Sequence, residues 1–241
     1  VENFFIFSLI WSLGVRTDVA GRIAFNEFIK KKVMPAGADD RKMKSPFPEE
    51  GDIYDYYFEK DRCTWVSFLT LDSGASIKDD AKFYEIIVPT IDTIRYSYML
   101  DLLLSHDVPV LLAGPTGTGK SVVINEYLNA GIDTTKYQAL FLSFSAQTSA
   151  NQTQDIIESK LDKRRKGVYG PPRGMKGLVF VDDLNMPAKE TYGAQPPIEL
   201  LRQWMDYKGW YDRKTTTWKE IKDLQIVSAM GPPGGGRSDI T

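Results

Sequence analysis

The stretch Val108–Val123, "VPVLLAGPTGTGKSVV", decides the fold. An apolar run of strand length passes into a glycine-rich turn, and the turn passes into a helical pattern that continues through "INEYL". Gly114, Gly119, Lys120 and Ser121 match G-x-x-x-x-G-K-[ST] in the strand-to-helix context this motif requires. Glycine lacks a Cβ, so backbone N–H groups can wrap an anion closely. Those of Gly117, Thr118, Gly119 and Lys120 are expected to face a β-phosphate, next to the positive end of the following helix. Pro115 and Thr116 complete the turn. In this reading Lys120 bridges β- and γ-phosphates, and the Ser121 hydroxyl ligates Mg²⁺.

The surrounding sequence repeats the alternation. "QALFLSFSA", "GLVFVDD" and "DLQIVSAM" read as further apolar strands. Between them, "TSANQTQDIIESKLDKRRKG" is predicted as one helix with Ser149 and Gln152 spaced as a capping box. "PPIELLRQWMDY" is predicted as another, with prolines where their missing N–H costs least. The helix after the glycine turn is expected to end near Gly131. Strands alternating with helices predict an α/β fold of the P-loop NTPase type: a parallel sheet with helices on both faces. Upstream, "EIIVPTIDTIRYSYMLDLLLSH" is expected to start extended, break at Pro89 and continue as a helix with Ile91, Ile94, Tyr98 and Leu102 on one face.

A phosphate turn of this kind needs a carboxylate at the end of a neighbouring strand to hold Mg²⁺ through its waters. "LVFVDD" ends in Asp182, the metal-side candidate, and Asp183, placed to orient an attacking water as a general base. Asp183 is one methylene shorter than the Glu usual there, which predicts slow hydrolysis or mere retention of nucleotide. In ring-forming ATPases a polar residue at the end of the strand read here as "DLQIVSAM" senses the γ-phosphate. Gly231 stands at that place, with Ser228 as a weak substitute.

The 241 residues carry 42% hydrophobic and 26% charged side chains and a formal charge of -2, an ordinary globular composition with no general pull toward nucleic acid or anionic membrane. The apolar run Phe4–Leu13 is too short to span a bilayer, and Glu2 stands where a signal peptide carries basic residues. It reads as a helix that packs against something. A second helix follows, with Asp18 as its cap and Lys30, Lys31 and Lys32 in its last turn. Met34–Asp52 reads as a linker, and Ile53–Leu71, rich in aromatics, as extended. Cys63, the single cysteine, excludes an internal disulfide and reads as a buried or half-buried thiol. His106 reads as a surface residue, and Trp204, Trp210 and Trp218 as packing residues.

"FVDDLNMPAKETYGAQPPIELLRQWMDYKGWYDRK" closely resembles the third AAA+ module of dynein heavy chains in the form seen in axonemal dyneins. "EIIVPTIDTIRY", "LLAGPTGTGKS" and "AMGPPGGGRSDIT" resemble the same module in the same order. The resemblance implies a division into residues 1–44, the last helices of a preceding module with a linker, and 45–241, the nucleotide-binding core with its small helical lid lying beyond the chain. It further implies that Val88, Pro89 and Thr90 form the loop against adenine, and that ATP or ADP binds with Mg²⁺. The module would regulate an ATP-driven motor on microtubules in the cytoskeleton of cilia and flagella. Its partners would be the neighbouring AAA+ modules and, through other parts of the protein, microtubules and the intermediate and light chains. The segment bearing the family's arginine finger also lies further on, and Arg237 is too close to the last strand to be assigned that role. Two other readings stay open: an AAA+ protein-remodelling ATPase outside dynein, and a structural module that holds nucleotide without turning it over.

Overall fold

The computed structural model describes residues 1–33, 45–71, 88 and 90–240. Of the expected linker Met34–Asp52, the part from Met34 to Lys44 lies outside the described residues, as do Ile86 and Ile87 of the extended start and Pro89. The chain divides into two units, Val1–Arg95 and Tyr96–Thr241.

In the first unit, α1 (Glu2–Ser12) and α2 (Val19–Phe28) are followed by a wider turn of helix over Ile29–Val33. Asp18 caps α2 as expected, accepting from the Gly21 N–H at 2.8 Å. The apolar α1 packs on the aromatic segment expected to be extended, which forms the antiparallel pair β1 (Tyr56–Glu59) and β2 (Thr64–Ser67). Phe4 meets the Phe58 ring edge-on at 5.1 Å, and Trp11 meets Phe68 at 5.8 Å. Ile6, Phe7, Ile10, Ile53 and Phe68 are buried, while Phe5 and Leu13 stay exposed. Cys63 corrects the sequence reading: it sits exposed in the turn between β1 and β2, with a left-handed φ of 51°.

Helix α3 (Ile91–Ser105) starts directly after Thr90. Its deeply buried side chains are Leu100 and Leu104 rather than the expected row from Ile91 to Leu102, which is only half-buried.

The second unit is built on four parallel strands, β3 (Val110–Ala113), β4 (Tyr137–Ser143), β7 (Lys176–Asp182) and β10 (Leu224–Met230), in the order β3-β10-β7-β4. The period of two along β7 sorts its side chains between two layers. Leu178 and Phe180, with Val227 and Ala229 of β10, face Leu100, Leu104 and the helix after the glycine turn, α4 (Lys120–Glu126). Val179 and Val181 face α5 (Ala150–Glu158) and α6 (Pro196–Tyr207) through Ile157, Leu201 and Trp204. The centre of β7, Leu178 to Val181, therefore reads as an uninterrupted apolar run because both faces are covered. The edge strands are not sealed to the same degree: Leu111 and Phe141 remain exposed.

The local signals hold: Ser149 and Gln152 form the capping box of α5, prolines open α6, and α4 runs on through a wider turn to Gly131. A further expectation fails. The helix predicted to continue through "DKRR" stops at Glu158, and Asp162–Arg165 is a strand, β5, pairing with β6 (Val168–Gly170) around Gly167 at φ 75°. With β8 (Gly209–Tyr211) and β9 (Trp218–Ile221) they form a second, unanticipated sheet in the order β5-β6-β9-β8. Gly209 is needed there, since a Cβ would stand 2.3 Å from the Lys219 carbonyl oxygen. Among the described residues no helix is long and apolar enough to cross a membrane.

Candidate nucleotide site

The C-terminal ends of β3, β7 and β10 lie side by side, with Ala113 opposite Met230 and Val181 opposite Ser228. That is where the polypeptide of an open α/β sheet leaves a crevice for ligands. A cavity of about 240 Å³ opens there, bordered by Gly117, Gly119, Lys120, Ser121, Asp182, Asp183, Gly231 and Arg237.

The turn after β3 is anchored by the Gly114 N–H donating to the Met230 carbonyl at 3.2 Å. Gly117 and Gly119 adopt φ of 84° and 78°, where a side chain would be strained, and Gly119 immediately precedes the first residue of α4. The Lys120 ammonium donates to the Pro115 carbonyl at 2.6 Å and to Thr118 Oγ1 at 3.2 Å, so it lies over its own turn. Thr118 Oγ1 in turn donates to the Pro115 carbonyl at 3.0 Å. Thr116 borders the cavity as well.

Ser121 Oγ donates to Asp182 Oδ1 at 2.8 Å across 61 positions of sequence. The same carboxylate oxygen accepts the Asp183 N–H at 2.9 Å. This bond holds Asp183 at a left-handed φ of 51°, a conformation that Asp tolerates better than most residues. A hydroxyl and a carboxylate are the hard oxygen donors that Mg²⁺ takes from protein, the remainder of its shell being water and phosphate.

The geometry thus brings together the phosphate turn, Lys120, Ser121, Asp182 and Asp183. Val88 is exposed in the first unit. Thr90 caps α3 through a reciprocal pair with Thr93: the Thr93 N–H reaches Thr90 Oγ1 at 3.2 Å and the Thr90 N–H reaches Thr93 Oγ1 at 2.8 Å.

Sequence reasoning weighed Arg237 only as an arginine finger and gave it no role; it lies in the cavity wall with Nη2 3.1 Å from Asp183 Oδ1. The signal for it was the run Gly234–Gly236, all at positive φ, which reverses the chain just after β10. Asn185 was also missed. It is buried, and its side-chain N–H group donates to the Gly231 carbonyl at 2.9 Å and to the Ser238 carbonyl at 3.2 Å, pinning both legs of that reversal.

Parallel strands, a glycine turn opening a helix, and a carboxylate at the end of β7, separated from β3 by β10 yet within hydrogen-bond reach of Ser121, define a P-loop module of the AAA+ type. Comparison with known proteins carries this further. Residues 75–241 match the family model described as the P-loop containing dynein motor region, and residues 1–70 match the dynein heavy chain AAA lid domain. The chain is 49% identical to dynein axonemal heavy chain 12 of Rattus norvegicus over 98% of its length and 8% of that protein. It is 49% identical to dynein axonemal heavy chain 3 of Mus musculus and 48% identical to dynein axonemal heavy chain 1 of Homo sapiens, in each case over 100% of its length and 6% of the relative. The chain belongs to the dynein heavy chain family, and it spans less than a tenth of the length of these relatives.

Proposed function

We propose that this chain carries the third AAA+ module of an axonemal dynein heavy chain, which binds ATP or ADP with Mg²⁺ and regulates an ATP-driven microtubule motor of cilia and flagella. In this reading residues 1–44 close the preceding module and 45–241 carry the nucleotide-binding core. The match of the first 70 residues to a dynein lid domain supports a preceding module. The neighbouring modules of the same heavy chain are its immediate partners. Microtubules and the intermediate and light chains engage other parts of the protein, in the cytoskeleton of the axoneme.

The observation that carries the nucleotide reading is the convergence of Lys120, Ser121 and Asp182 on one cavity, with Ser121 and Asp182 2.8 Å apart. The turn from Gly114 to Lys120 supplies backbone donors and one ammonium to the phosphates. Bound Mg²⁺ would neutralise charge on the phosphate oxygens. Ser121 and Asp182 would hold it on the protein side, and Asp183 would orient the water. Val88, Pro89 and Thr90 are assigned to the adenine.

A second reading, a module that holds nucleotide without turning it over, is favoured by the pairing of Asp183 with Arg237. Lys120→Ala tests what both readings share, because the ammonium is the main positive charge offered to the phosphates. Calorimetry is expected to show loss of tight ATP binding. Unchanged affinity would remove the phosphate-turn assignment.

A further inference from the structure

The chain leaves β10 at Met230 and reverses through Gly234, Gly235 and Gly236 at φ of 110°, 58° and 90°. The reversal is closed by the Gly234 N–H donating to the Arg237 carbonyl at 3.0 Å and the Arg237 N–H donating to the Gly234 carbonyl at 3.1 Å. Arg237 is thereby carried back over the strand end. A Cβ on Gly231 would stand 2.7 Å from Arg237 Nε and 2.8 Å from its Cδ. The guanidinium therefore fills the space in which a polar side chain at position 231 would lie, and a side chain there would have to displace it. Nη2 pairs with Asp183, while Nε is buried with no acceptor among the described residues. Both side chains border the cavity that Lys120 and Ser121 share.

We infer that Arg237 reads the terminal phosphate of a bound nucleoside triphosphate, supplied in cis and standing in for the sensor side chain that Gly231 lacks. The inference rests on the nucleotide reading of the same cavity and deepens it by naming how ATP is told from ADP. A planar guanidinium pairs with phosphate through parallel charge-assisted hydrogen bonds. A terminal phosphate carries more charge and more acceptor oxygens than the one carboxylate oxygen that Arg237 now contacts. With ATP the phosphate draws Arg237 away and leaves Asp183 free to orient water. With ADP the Asp183–Arg237 pair stays closed. Arg237 is thus a phosphate-contacting residue and, through Asp183, a positioning residue.

The test uses the full heavy chain, titrated separately with ATP and ADP in Mg²⁺. Binding at this site is counted as the binding that Lys120→Ala removes. Arg237→Ala is expected to weaken ATP by about tenfold or more, the scale of a charge-assisted pair, with ADP unchanged. Arg237→Lys should restore part of the difference. Gly231→Val, which leaves the arginine in the sequence but takes its space, should reproduce the loss. Equal effects on ATP and ADP, or none, would overturn the inference and leave the nucleotide reading standing. If Lys120→Ala removes no binding at all, both fall together.

Discussion

Ser121 Oγ and Asp182 Oδ1 lie 2.8 Å apart, joining the first turn of α4 to the end of β7. Neither element makes the site alone. If the pair serves a metal, Ser121→Ala and Asp182→Asn should each reduce the gain in ATP affinity that Mg²⁺ confers by about tenfold, with little change in metal-free binding. Titrations with Mg²⁺ and with EDTA separate this from a purely structural bond. A structural bond would lower the melting temperature and leave the metal dependence as it was.

Asp183 is held apart from Asp182 in role by its backbone: its N–H is spent on Asp182 Oδ1, and its own carboxylate points to Arg237. Asp183→Asn in the full motor should therefore leave ATP binding nearly intact and slow phosphate release by about a hundredfold, the lower end of general-base contributions. Equal loss of binding and turnover would make Asp183 a metal-side residue instead.

What was legible in the sequence was local. The glycine turn, the strand end at Asp182 and the caps at Asp18 and Ser149 each depend on residues within a few positions of one another. What was not legible depends on distant partners. "DKRR" has no apolar period and good helix formers, yet it is a strand because β6 pairs with it across Gly167. The second sheet needs β6 and β9 to meet across some fifty positions, with Val168 opposite Glu220. Arg237 enters the site only because three glycines reverse the chain, and Asn185 only because two carbonyls fall within its reach. The proposal of a third module rests on resemblance and not on any single geometric feature.

Glu158, the last residue of α5, ties the helix to the β8–β9 hairpin. It accepts from Trp210 Nε1 at 2.8 Å, Gln154 Nε2 at 2.9 Å and Lys219 Nζ at 2.7 Å. Burial pulls its pKa up, but the hydrogen bonds from Lys219, Gln154 and Trp210 outweigh that and hold the carboxyl below its usual range. A depressed folded value means the stabilisation is complete above the ordinary carboxyl pKa and is lost as pH falls through the folded one. Glu158→Gln is therefore expected to cost about 1–2 kcal/mol at neutral pH, and the gap should close as pH drops below about 4. Urea unfolding of both forms across that range reads it. A gap that ignores pH would mean the loss is one of packing.

The 241-residue chain assayed alone is expected to turn over ATP more slowly than about 1 s⁻¹, the low end of ordinary enzyme rates. Three features of the site lead there. The Asp183 carboxylate rests paired with Arg237 at 3.1 Å, so that pair has to open before a water can use the carboxylate as general base. Asp183 is 40% exposed and Arg237 24%, so solvent reaches the place where charge would develop and weakens each electrostatic contact there. Asp is also a methylene short of the reach that Glu would give, and small misplacements of a base cost large factors in rate. Steady-state phosphate release with Mg²⁺ and ATP, using Lys120→Ala as the blank, measures the rate. Turnover faster than about 1 s⁻¹ that disappears in the blank would show a self-sufficient ATPase. That result would favour an independent protein-remodelling ATPase over a regulatory module of a motor.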